Sequence, residues 1–216
     1  MSYVRLGFNP QFFAGIHIGN GIVMNRYHVD IQMMTLTTNM HDQNIAVERL
    51  KYMIFEEYNS SILINAKQIK AKALYEAAGL RCIALPNEPV DQVVGLSLFH
   101  KLTSVVSPVL DILDLNLHSD VGGITYLHND EEESGAFVDD GWWHNSDPNC
   151  VTKGSNNKVV ALTLPTWRKL DLLWEADEDD EEDEDSNFDI ILDDTHNNDK
   201  AQMGKNVVEF RPNDKK

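Results

Sequence analysis

Residues 60–86 read SSILINAKQIKAKALYEAAGLRCIALP, and this stretch decides the fold class. SSILIN is short and apolar, which reads as a buried strand. AKQIKAKALYEAAG is rich in the helix formers alanine, lysine and leucine, and Gly79 stands where a helix C-terminus takes a left-handed residue. RCIALP is a second strand, closed by Pro86.

The same rhythm continues on both sides. Downstream, PVDQVVGLSLFHKLTSVV (89–106) reads as a helix between Pro89 and Pro108, and VLDILDLNL (109–117) as a strand. Upstream, DQNIAVERLKYMIFEEY (42–58) carries a helical stripe of Ile45, Leu50, Met53, Ile54 and Tyr58, with Asn39 or Asp42 as its cap. Val29 to Thr38 reads as a strand, preceded by a hairpin turning at GNG (19–21). Alternation of this kind predicts an α/β fold with a mixed, mainly parallel sheet and an antiparallel N-terminal hairpin. The alternative is an antiparallel α+β arrangement.

Charge divides the chain. Residues 1–170 hold 18 acidic and 13 basic residues; residues 171–216 hold 17 and 5, and the total is −17. We therefore expect one α/β domain over 1–170 and an acidic, largely disordered tail over 171–216, where EADEDDEEDED (175–185) repels itself. No basic footprint supports direct nucleic-acid binding. Two cysteines without a CxxC motif, and no signal-like N-terminus or membrane-length apolar run, predict a reduced, cytoplasmic protein with no membrane contact. Nothing in the composition excludes a homo-oligomer.

Three regions collect chemistry-bearing residues. In a doubly wound sheet, ligands sit beyond the carboxyl ends of the strands. His41, Asp42, Glu88 and His118 fall in loops predicted at that edge, where a histidine among carboxylates suits metal-assisted or acid–base hydrolysis. Capping alone equally explains Asn39, Asp42, Asn65 and Asn87. The second region is DGWWHNSDPNC (140–150). His144, Asp147 and Cys150 are possible zinc ligands in type, but their spacing is not that of a zinc site, so no metal is expected. Trp142 and Trp143 read instead as partner-contact residues. The third is the tail, where Phe188, Ile190, Ile191 and Leu192 would anchor a docking segment. No glycine-rich phosphate loop or nucleophile elbow is present, and no cofactor is expected.

At DQNIAVERLKYMIFEEYNSSILIN (42–65), LPNEPVDQVVGLSLFHKL (85–102) and DGWWHNSDP (140–148), the sequence resembles uncharacterised proteins of marine T4-like tailed phages. That resemblance implies a viral origin, hence an infected host cytoplasm, and no catalytic residues. The leading expectation is a non-enzymatic phage-type protein whose acidic tail docks on a basic partner in nucleic-acid-handling machinery. The second is a small metal-dependent hydrolase at the strand-end edge. The third is a virion structural component.

Overall fold

The computed structural model describes residues 4–123, 125–129, 141–148 and 166–178. Every described residue belongs to one compact unit.

The chain begins with β1 (Arg5–Phe8) and β2 (Gln11–Ile18), then turns at Gly19–Asn20 into β3 (Gly21–Thr35). β3 pairs with β2 as far as His28 and with β6 from Tyr27 onward, so the hairpin arm and the strand expected from Val29 are one continuous strand. Next come α1 (Met40–Tyr52), a π-helical turn (Met53–Tyr58), β4 (Ser61–Asn65), α2 (Ile69–Ala77) and β5 (Cys82–Leu85). They are followed by α3 (Asp91–Val106), β6 (Leu110–Ser119) and β7 (Thr125–Asn129). Asn39 caps α1 by accepting from the His41 amide at 2.9 Å, and Gly79 follows α2 with φ of 79°. The segment TWRKLDLLW forms a 3-10 turn at Arg168–Leu170, followed by a single helical turn, α4 (Glu175–Glu178).

The sheet order is β5-β4-β2-β3-β6-β7, and β1 continues the β2 edge of β3. The strand–helix units thus build a mixed α/β sheet with an antiparallel N-terminal hairpin. Its parallel pairings are β2–β4 and β4–β5. β3 and β6, expected among the parallel strands, pair antiparallel to each other instead. The tight turn after β2 reverses the chain, so β3 runs against both β2 and β4.

Alternate residues along β3 divide the environment. Tyr27, Val29, Ile31 and Met33 are buried on the inner face, together with Phe12, Ala14, Leu115 and Leu117, beneath α1 and α3. Among the described residues the outer face is covered on the parallel side, where Ala71 and Tyr75 of α2 pack on Ile62, Ile64 and Cys82. Strands covered on both faces read as continuous apolar runs, and all of β4 is buried; the antiparallel half leaves one face to water.

Two buried cations attach the later segments. Arg49 is 3% exposed. Its guanidinium donates to the Leu172 carbonyl from Nε (2.8 Å) and Nη2 (2.6 Å), and stacks 3.6 Å from the Trp174 ring. Burial lowers its pKa from 12.5 to about 10, which leaves it charged at neutral pH. Leu172, Leu173 and Trp174 therefore pack on the domain, although sequence places them in the tail. Lys101, also buried, donates to the carbonyls of Asn145 (2.6 Å) and Asp147 (2.7 Å), pinning the segment that holds both tryptophans. Among the described residues no helix is long and apolar enough to cross a membrane.

Arg49→Ala strands the Leu172 carbonyl and removes the stacked cation. We expect a loss of about 2–4 kcal/mol in urea unfolding, with increased proteolysis near residue 172.

Candidate functional site

The open half of the outer face carries a polar stripe. β3 places Arg26, His28 and Asp30 there, and β6 places Asn116 and His118 opposite. The register pairs His28 with His118 and Asp30 with Asn116. Asn9, Pro10 and Gln11, at the break between β1 and β2, wall one side, and Thr125 of β7 the other. The result is a groove of about 310 Å³.

Its polar groups are set by neighbours on the strands. The Arg26 guanidinium donates to Asp120 Oδ2 from Nε (3.0 Å) and Nη2 (2.7 Å). That bond holds the Asp120 carboxyl below the usual carboxylate range. Asp120 Oδ1 lies 3.5 Å from His28 Nε2. The His28 and His118 rings sit with centroids 6.1 Å apart. With its amide nitrogen facing β3, Asn9 donates to Asp30 Oδ1 at 2.8 Å. The turn presenting Asp120 is itself anchored: Ser119 Oγ donates to Asp91, and Gly122 donates to Ser119 Oγ at 2.9 Å. A Cβ at Gly122 would lie 1.9 Å from Asp91 Oδ2, so any other residue there must displace that carboxylate. An imidazole held beside a carboxylate is the arrangement that general-base chemistry uses.

The strand-end residues singled out from sequence do not meet. β3 runs against β4, so its carboxyl end, with His41 and Asp42, lies at the opposite end of the sheet from Asn65 and Glu88. Asp42 accepts from the Glu175 amide at 2.9 Å, and Glu88 accepts from Asn65 Nδ2 at 2.9 Å; both act locally. Only His118 joins the groove. Its partners His28, Arg26, Asp30 and Asn116 were missed, although the alternation in RYHVDIQ (26–32) is a period-2 signal for one polar strand face.

The WW segment also differs from expectation. Gly141 is followed by a 3-10 turn, Trp142–His144. Trp143 is 9% exposed, and half-buried Trp142 donates its indole N–H to the Ala84 carbonyl at 2.7 Å. Both rings are thus engaged within the domain, Trp142 on the β5 edge, rather than displayed to a partner. His144 is exposed and Asp147 half buried. Cys150, Phe188, Ile190, Ile191 and Leu192 lie outside the described residues. Among the described residues, no three His, Cys, Asp or Glu side chains are grouped to hold a metal.

Two further titratable groups lie away from the groove, Glu57 buried and His100 half-buried. Glu57, 2% exposed, accepts from Tyr52 at 3.0 Å and faces Arg81 at 3.6 Å. Burial raises its pKa, against the opposing pull of Arg81. His100 lies 4.9 Å from His144 and 6.3 Å from His128, centroid to centroid. Burial first, then these two neighbours, lower its pKa from 6.5 to about 4.

No protein-family model and no curated protein matches the chain. Among solved structures it is similar to the 6-pyruvoyl tetrahydropterin synthase of Plasmodium vivax: 10% identity, TM-score 0.37, covering 60% of this chain and 99% of that one. The Plasmodium falciparum enzyme of the same name gives 10% identity, TM-score 0.36, and coverage of 59% and 98%. These values assign no substrate and no residue role. No comparison supports the expected phage-type interaction protein, and that reading is not retained. The metal-dependent hydrolase is withdrawn because its residues are separated and no metal-holding group is found among the described residues.

Because folding depresses the His100 pKa, its contribution to stability is present above the ordinary histidine value and is lost as pH falls through about 4. His100→Gln should therefore weaken the pH dependence of the urea midpoint between about 6.5 and about 4. An unchanged slope in that window would show that His100 is not the group responsible.

Proposed function

We propose that this protein binds a small polar molecule in the His28–His118 groove and that His28, backed by Asp120, accepts a proton from it. The observation that carries the reading is the cross-strand register, which sets two imidazoles, a carboxylate, three side-chain amides and one hydroxyl around one concavity. Paired strands hold such groups more firmly than loops do. The volume suits a compact ligand, being near the lower end of the usual range of about 300–1,000 Å³. Asp30 and Asp120 bring negative charge to the groove and its rim, which favours neutral hydrogen-bonding or amine-bearing molecules over anions.

A library of small amides, polyols and amines, screened by amide chemical-shift mapping, tests this directly. Binders should perturb Asn9, His28, Asn116 and His118 together. His28→Ala and His118→Ala should each weaken binding about tenfold, the loss of roughly one hydrogen bond. Binders that map elsewhere, or affinities untouched by both substitutions, would overturn the reading.

A further inference from the structure

β3 is longer than its neighbour on one side. β2 pairs with it from Gly21 to His28, whereas the β6 pairing stops at Tyr27 opposite Ser119. The Asp120 amide still donates to the Arg26 carbonyl at 3.1 Å, which fixes the side to which that residue's backbone groups point. Alternate residues of a strand share that direction, so the N–H and C=O of Ile22 and Met24 point past the end of β6. Among the described residues no backbone hydrogen bond occupies them. Apolar side chains flank this edge on both faces: Ile22 (40% exposed) and Met24 (64%) outside, and Val23 (42%) and Ile18 (54%) inside. An open strand edge with apolar flanks is a template for pairing with another strand.

We infer that this edge pairs antiparallel with the same edge of a second copy, about a twofold axis at Val23. In that register Ile22 of each copy faces Met24 of the other, so their outward N–H and C=O groups form four backbone hydrogen bonds. Val23 meets Val23 between them, in the closer, non-hydrogen-bonded pairing. The Gly19–Asn20 tip of each hairpin reaches the 53%-exposed Val121 of the other copy, and the two sheets become continuous.

Two observations favour a second copy. The first is charge: a protein at −17 repels itself, yet residues 1–29 contain no Asp or Glu, and Asp120, which borders this surface beside Val121, is paired with Arg26. The second is area: Ile18, Ile22, Val23, Met24 and Val121 expose roughly 400–500 Å² per copy, so with the strand edges the pair can bury at most about 1,000 Å², which is where specific interfaces begin. A symmetric interface also satisfies both copies at once, leaving neither edge exposed. This inference stands apart from the groove proposal.

Sedimentation equilibrium of the full chain should give a dimer, and Met24→Lys should weaken association at least tenfold by placing like charges across the axis. Val23→Cys, in a Cys150→Ser background, should form a reducible inter-chain crosslink under mild oxidation, because the facing Cβ atoms fall near disulfide distance. Phe55→Cys in the same background places a thiol at a site 41% exposed, away from this edge, and should not crosslink comparably. A wild-type monomer throughout the concentration series, or equal crosslinking from both cysteines, would overturn the inference, even if Met24→Lys failed to fold.

Discussion

The structure depends on β3 being paired along both edges. One edge carries β1 and β2 in succession, and the other carries β6. Its odd-numbered residues from Tyr27 to Met33 enter the core, while Arg26, His28 and Asp30 reach the outer face. Direction matters as much as pairing. Because β3 runs against β2, the chain leaves it at the end of the sheet remote from Asn65 and Glu88, and β6 returns to bring His118 beside His28. The same geometry that forms the groove therefore disperses the strand-end site expected of a parallel sheet.

Buried charge organises the second level. Arg49 and Lys101 are both removed from water, which is costly unless their donors are satisfied. Each binds backbone carbonyls: Leu172 for Arg49, Asn145 and Asp147 for Lys101. The consequence is that segments distant in sequence, 141–148 and 166–178, are held to α1 and α3 by cations rather than by strand pairing. Trp142 then covers an outward carbonyl on the edge strand β5, a common way of blunting a strand edge.

Sequence order revealed the elements well where local pattern decides them. SSILIN, AKQIKAKALYEAAG and RCIALP became β4, α2 and β5, since short continuous apolar runs and helix propensity are local properties. Strand direction was not legible in the same way: it depends on whether a chain pauses between Met24 and Val29, and no side chain there announces continuity. The groove was half legible. His118 was identified by its strand-end position, but His28 needed the register with β6, which joins residues 90 apart in sequence. The placing of the two tryptophans was not legible, because a WW pair looks the same in sequence whether its rings turn outward or, as here, serve Ala84 and the core.

The most direct test of this account is the set of cross-strand nuclear Overhauser contacts between β3 and β6. The antiparallel register requires α-proton contacts between Val29 and Leu117 and between Ile31 and Leu115, with partner numbers falling on β6 as they rise on β3. Contacts whose numbers rise together on both strands would contradict the reversal, and with it the placement of His28 beside His118.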